Sequence, residues 1–499
     1  MPYAKGARFE PEKGCLPGTR ETIIGEIVQW INSPNEDNSH RLFFLSALAG
    51  YGKSAVAHTV ATQFDELGRL GSSYCFDRAD QANRHPSNLL STIALDIGDL
   101  DQHWKKSLCD VVKGNRSLRT TRSAAEQFKN FILEPAKALT MVGPIVIVID
   151  ALDESGDSSF RRTLLEILVR RAADLPPNFR ILITARPETD ILNALSGNSC
   201  IRCRHLDDID KSSNERDISL FIETMLSDIP SLELEWPNKY WCGMLLKASD
   251  GLFQWASTAC RAIKDGEGGL WPTELLTRFC SLTRGLDALY LEVLSRSFNS
   301  DDSIVMSRFK SVMGRILVAK EPLSIAAHAD MCLGTDDAGL VRLVAQSMGS
   351  LLTGVNQPHT PVRALHASFF DFLADNSRSK TYYVDASEQN WNLTLSTFRV
   401  MKKELRFNIC GLETSHLKNT DVPDLNMRVA NTILPHLSYG CRFWADHLKT
   451  TTYDSTILAE VRDFLLNRLL YWFEVLSLIK NINVASRMLL SMLEWNQVS

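Results

Sequence analysis

The stretch Ala47-Leu-Ala-Gly-Tyr-Gly-Lys-Ser54 stands between a short apolar run, Arg41 to Leu48, and a segment of helical periodicity, Ser54 to Leu67. Strand, glycine loop and helix in that order constrain the fold more than any other feature of the chain. The loop fits the pattern G-x-x-x-x-G-K-[ST], with Ala47 at the first glycine position. Gly50 and Gly52 let the backbone turn so that successive N–H groups face phosphate oxygens, and the following helix N-terminus adds partial positive charge. Lys53 can then reach the β- and γ-phosphates, while the Ser54 hydroxyl is placed to ligate Mg²⁺. Ala47, Gly50, Tyr51, Gly52, Lys53, Ser54 and Ala55 are the candidate nucleotide-binding residues of this loop.

Two further apolar runs, Pro144 to Ile149 and Phe179 to Thr184, are separated by the helical stretch Phe160 to Ala173. Strands that are apolar on both faces and alternate with helices imply an α/β fold with a parallel sheet covered on both sides. The first run ends in Asp150-Ala-Leu-Asp153-Glu154. A carboxylate at a strand end beside a phosphate loop is where a Mg²⁺ ligand is wanted, and Asp150 occupies that position. Asp153 and Glu154 are candidates to orient or deprotonate an attacking water, with a helix cap and first-turn acids as the plain structural alternative. The second run delivers Ala185-Arg186-Pro187-Glu188, and an arginine there can sense a γ-phosphate through a charge-assisted hydrogen bond.

Around this core the chain divides into an extended lead-in (1–20), the α/β core (21–205, opening with a helix from Glu21 to Ile31), an all-α part (206–300), a part spanning 301–385 and a helical C-terminal region (386–499). Helical periodicity runs through Asp217 to Leu226, Tyr240 to Ala248, Phe253 to Lys264, Leu286 to Phe298 and Phe309 to Val318, broken by Pro230, Pro237 and Pro272. From Pro322 the order is helix, turn at Gly334, helix, then β-like runs at Leu351 to Val355 and Val362 to Leu365, the order of a winged helix. Phe464 to Ile479 reads as one core or interface helix.

Composition excludes several classes. The 499 residues are 44% hydrophobic and 23% charged, which fits folded domains rather than disorder or a rod. A net charge of −5 provides no global attraction for nucleic acid or an anionic membrane. No apolar run approaches the roughly 18 residues of a membrane span, and the start lacks the apolar centre of a secretory signal, so a cytoplasmic chain is expected. The 11 cysteines follow no repeating spacing and read as reduced thiols. Cys200-Ile-Arg-Cys203, with His205 nearby, has no second ligand pair and reads as core thiols rather than a zinc site.

Together the three nucleotide motifs resemble the NACHT branch of the STAND class of P-loop NTPases, in particular the nephrocystin-3-like NTPase domain of fungal NACHT proteins. Cys15-Leu-Pro-Gly-Thr-Arg20 resembles that family's opening motif, which implies that Gly18 to Arg20 lie near the adenine. Gly251-Leu-Phe-Gln-Trp-Ala256 resembles its helical-domain segment, with Phe253 in place of a proline that packs on the base in related NTPases. Leu365-His366-Ala-Ser-Phe-Phe-Asp-Phe372 is similar to the winged-helix histidine motif, which implies that His366 contacts the β-phosphate of ADP and locks a closed form.

The resemblance implies a switch driven by ATP and ADP with Mg²⁺, slow hydrolysis, self-assembly in the ATP state, and a signalling role of the innate-immunity or incompatibility type. It also implies an effector domain before the NTPase and a repeat array after it, neither of which is recognised in the chain. Two other readings stay open. One is a conventional P-loop ATPase or kinase. The other is a DNA-reading winged helix, although its candidate recognition helix, Asp336 to Gly349, carries Arg342 as its one basic residue.

Overall fold

In the computed structural model the described residues are 1–33, 40–156, 158–195, 201–227, 229, 238–266, 270–282, 285–332, 338–414 and 416–497. The chain divides into two units, Met1–Lys264 with Trp271–Leu289 and Asp265–Leu270 with Tyr290–Ser499.

The first unit is built on five strands: β1 (Leu42–Ser46), β2 (Leu70–Cys75), β3 (Ile145–Asp150), β4 (Phe179–Ala185) and β5 (Ile201–His205). Their order is β2-β3-β4-β1-β5, and every neighbouring pair is parallel. Side chains alternate between the faces of a strand, so β3 sends Ile145, Ile147 and Ile149 into one buried cluster and Val146 and Val148 into another. The valine side is covered by helices α1 (Glu21–Asn32) and α2 (Lys53–Glu66), through Ile24, Ile27, Val56, Val60 and Phe64. The isoleucine side is covered by α3 (Leu89–Leu100) and by the helix Ser158–Arg171, through Ile93, Ile97, Leu164 and Leu168. A parallel sheet sandwiched in this way accounts for the near-continuous apolar runs of β1, β3 and β4.

The sheet differs from the sequence expectation in four respects. First, β2 is a strand although it reads Leu-Gly-Ser-Ser-Tyr-Cys. Its buried serines are satisfied by specific partners: Ser72 donates to Asp96 at 2.6 Å, and Ser73 Oγ accepts from the Phe9 amide at 3.0 Å. Second, β5 is an edge strand whose Arg202 and Arg204 reach Glu26 on α1 at 2.6 and 2.9 Å. Cys203 on that edge is exposed and so is not a core thiol, while Cys200 lies outside the described residues. Third, β4 lies between β1 and β3, so the strand carrying Asp150 is one removed from the strand that enters the phosphate loop. Fourth, the lead-in is docked: the Cys75 amide donates to Ala7 O at 2.7 Å, a single 3₁₀ turn forms at Pro11–Lys13, and the Cys15 amide donates to Thr59 Oγ1 at 2.8 Å.

Helices Lys211–Leu226, Lys239–Ser249, Phe253–Asp265 and Pro272–Ser281 follow the sheet, while Pro230, Pro237 and Gly334 lie outside the described residues. In the second unit, helices Ser303–Val318, Ile325–Asp330 and Ala338–Gln346 precede a short antiparallel pair, β6 (Leu352–Thr353) and β7 (Arg363–Ala364). Helix Ala386–Glu404 then packs on Pro435–Leu448. A buried polar chain ties these elements together: the Lys320 amide donates to Tyr439 Oη, which bonds His447, which bonds Asn390. The single helix expected over Phe464 to Ile479 is two, Ser455–Asn467 and Leu469–Leu478, divided at Arg468 with φ −133° and ψ −5°. This break folds Trp472 edge-on against Trp444 and Phe464. Among the described residues no helix is long and apolar enough to cross a membrane.

Candidate functional site

The phosphate loop joins β1 to α2. Gly50 and Gly52 both take left-handed backbone angles, φ 91° and 89°, which side-chain-bearing residues adopt only with strain. Gly52 caps α2 without any side-chain hydrogen bond, so the helix presents uncapped amides and its positive end toward the loop. Ala47 is fully buried where the sequence pattern has glycine, and Ser54 on the first turn of α2 is exposed. Lys53 Nζ donates to the carbonyls of Ala47 and Leu48 at 2.8 and 3.0 Å. Burial lowers the pKa of this ammonium; Asp153 and Asp150 oppose the shift, and Arg186 adds to it.

The acids lie at the same end of the sheet. Asp150 ends β3, is 3% exposed, and accepts a short hydrogen bond from Thr184 Oγ1 on β4. The chain then passes through Ala151 at φ 53° into the 3₁₀ turn Leu152–Ser155, which carries Asp153 and Glu154. Asp153 is buried and receives both the Arg186 amide (3.0 Å) and the Arg186 Nε (3.1 Å). Glu154 accepts the Arg78 amide at 3.2 Å. Its carboxyl is pushed up to about 8, chiefly by burial and then by the charges of Asp153 and Asp77. The structure thus brings Asp150, Asp153, Glu154 and Arg186 together at the ends of two neighbouring strands, with Lys53 within their field.

The lead-in and the helical segment close on the loop from another side. Arg20, 3% exposed and at φ 58°, donates from Nη2 to Tyr51 O at 2.8 Å. Its guanidinium lies 4.7 Å above the Phe253 ring, while Nε and Nη1 have no hydrogen-bond partner among the described residues. The Gln254 amide donates to Gly50 O at 3.0 Å, which seats the segment Gly251 to Ala256 directly on the phosphate loop. His366 belongs to the second unit. It caps helix Ala367–Leu373, with Nδ1 accepting from the Ser368 amide at 3.2 Å and bonded to Ser368 Oγ at 2.6 Å.

Sequence reasoning missed two residues. Arg161, on helix Ser158–Arg171 and 5% exposed, donates to Asp153 O, Glu188 and Asp190 at 3.0, 2.7 and 2.9 Å, clamping the loops that follow β3 and β4. Nothing in its sequence context separates it from Arg162. His58 is buried on α2, and a ring nitrogen of it lies within 4.8 Å of Cys75 Sγ and an Asp150 carboxylate oxygen. The one available signal was its spacing, four residues after Ser54 on the same helix face. Burial raises the pKa of Cys75, so it stays a neutral thiol.

Comparison with known proteins agrees with this geometry. The nephrocystin 3, N-terminal family matches residues 18–186, the segment holding Gly18 to Arg20 of the opening motif, the phosphate loop, the acids and Arg186. The vegetative incompatibility protein HET-E-1 of Podospora anserina is 24% identical over 389 residues, covering 71% of this chain. The chain spans about a quarter of that relative, 26% of its length. A solved Pyrococcus horikoshii signal transduction ATPase with numerous domains, bearing a tetratricopeptide repeat sensor, aligns over 99% of this chain and 65% of its own, with 10% identity and a TM-score of 0.40. Over residues 18–186 the chain is thus similar to the nephrocystin 3, N-terminal family, and together with the likeness to the fungal incompatibility protein this supports a NACHT-type STAND NTPase.

Proposed function

We propose that the first unit binds ATP and ADP with Mg²⁺ and uses them as a switch that controls self-assembly or signalling to a partner in the cytoplasm. The observation that carries this reading is the loop geometry: two left-handed glycines, an uncapped helix N-terminus and Lys53, facing a buried carboxylate at the end of β3. These residues fit a polyphosphate with a divalent cation. Lys53 would exchange the carbonyls of Ala47 and Leu48 for phosphate oxygens, and Ser54 and Asp150 would hold Mg²⁺. When bound, the cation would supply neutralisation of the phosphate charge.

Asp153 keeps Arg186 at the end of β4, where its guanidinium would read the γ-position, and Glu154 would accept a proton from water. Arg20, on the ring of Phe253 and the carbonyl of Tyr51, is assigned to the base side of the nucleotide. The helix, helix and hairpin of the second unit are read as a winged helix, and His366 as its ADP-sensing residue. A ligand shifts a two-state equilibrium only by its differential contacts, and Arg186 for ATP against His366 for ADP would supply them. Hydrolysis then resets the state.

The experiment is to identify the nucleotide retained by the purified chain and by Lys53→Ala. Retention of ADP by the wild type and its loss in the variant are expected. A wild-type chain that comes out empty and binds no added Mg²⁺-ATP refutes the reading.

A further inference from the structure

We propose that the turn following β2 belongs to the hydrolytic site, with Asp77 as a positioning residue that sets where Glu154 sits and when it can act as a base. The inference rests on the reading of Glu154 as the proton acceptor. Just past β2 the chain makes a single 3₁₀ turn, Arg78–Asp80. Its two leading amides are each taken by a carboxylate: Arg78 N donates to Glu154 Oε2 at 3.2 Å, and Ala79 N donates to Asp77 Oδ1 at 2.9 Å. Successive residues are about 3.8 Å apart from Cα to Cα, so one turn holds the two acids side by side. The turn is itself held by its surroundings. Phe76 N donates to Asp150 O at 3.0 Å. Buried Asp80 pairs with Arg84 at 3.3 Å, and Arg84 Nη1 donates to Cys75 O at 3.0 Å. Gln81 lies against Gly156 (φ 85°), its Nε2 3.1 Å from where a Cβ would stand. The loop after β2 is therefore seated on the loop that carries Glu154.

Besides burial, four groups act on Glu154. Asp153 from its own turn and Asp77 from the loop after β2 disfavour its ionisation, while the Arg78 amide and Arg186 at the end of β4 favour it. Burial and the two acids prevail, and with the carboxyl pushed up to about 8, about a tenth of it is ionised at about pH 7. In hydrolysis the water oxygen bonds the γ-phosphorus as the bridge to the β-phosphate breaks, ADP leaves with that electron pair, and the water's proton passes to Glu154. A protonated Glu154 cannot take it. Asp77 thus aims the carboxylate through the turn and slows the step at neutral pH, which lengthens the life of the ATP state.

The test is single-turnover hydrolysis of Mg²⁺-ATP by the full-length chain from about pH 6 to about pH 9.5, for wild type, Asp77→Asn, Asp77→Ala and Glu154→Gln, with a thermal melt of each. Asparagine keeps an oxygen for the Ala79 amide and drops the charge; alanine drops both. Asp77→Asn is expected to hydrolyse roughly threefold to fivefold faster than wild type at about pH 7 and to match it above about pH 9. Asp77→Ala is expected to reach a plateau roughly fivefold lower, from the lost cap. Glu154→Gln should lack the pH-dependent limb. If Asp77→Asn follows the wild-type profile, or falls at every pH as Asp77→Ala does, while Glu154→Gln lacks the limb, the inference is wrong and the base reading stands. If Glu154→Gln keeps the limb, the reading beneath falls as well.

Discussion

Replacing Glu154 by glutamine should change both the pH dependence of stability and that of hydrolysis. Its carboxyl rises from 4.5 to about 8, mainly because burial disfavours the charge, with Asp153 and Asp77 adding repulsion. A folded-state pKa raised above the unfolded value gives stability that is complete below the unfolded pKa and is lost as pH climbs through the folded one. The wild type should therefore weaken between about pH 4.5 and about pH 8, by up to about 1.4 kcal/mol per pH unit. Glutamine needs no proton and escapes this loss. Thermal melts of ligand-free wild type and Glu154→Gln should nearly coincide at about pH 5, with the variant the more stable at about pH 8.5. In single-turnover hydrolysis, the wild-type rate should climb about 25-fold from about pH 6.5 to about pH 8.5 as the base loses its proton. The variant should show no such limb. A melting difference independent of pH, or a rate profile shared by both proteins, would refute the argument.

Four further predictions follow from three glycines and from His366. Gly50→Ala places a Cβ 3.1 Å from Gln254 Cβ and 3.4 Å from Leu286 Cδ1 at φ 91°, so it should cost about 1–2 kcal/mol and loosen nucleotide retention. Gly25→Ala on α1 meets nothing within 4 Å and should stabilise by about 0.5–1 kcal/mol, both read by urea unfolding followed with tryptophan fluorescence. Gly354→Ala would put a Cβ 2.2 Å from Pro361 O, so the β6–β7 hairpin should open, visible as accelerated amide exchange at residues 352–364. His366→Ala should weaken ADP more than ATP in competition binding; equal losses would remove it from the latch.

What the sequence made legible follows from where the free energy lies. β1, β3 and β4 are buried on both faces and must be apolar throughout, so their runs announce them. β2 and β5 lie at the sheet's edges. Ser72 and Ser73 can be buried because Asp96 and the Phe9 amide answer them, and these partners are remote in sequence. The phosphate loop was legible because glycine and lysine are needed there for backbone and charge. Arg161 and His58 were not, since each meets residues brought near only by folding, and a lone arginine or histidine on a helix has no pattern. Asp153 was legible as an acid but not as the partner of Arg186, a pairing created by the neighbouring register of β3 and β4.

The placement of β4 between β1 and β3 has a mechanical consequence. Its last turns of backbone hold, two residues apart, the hydroxyl that steadies Asp150 and the guanidinium that steadies Asp153. A slide of this one strand by a fraction of an ångström would pull on both carboxylates at once, so under the proposed reading cation grip and γ-phosphate reading would not be tuned separately by anything that acts through it.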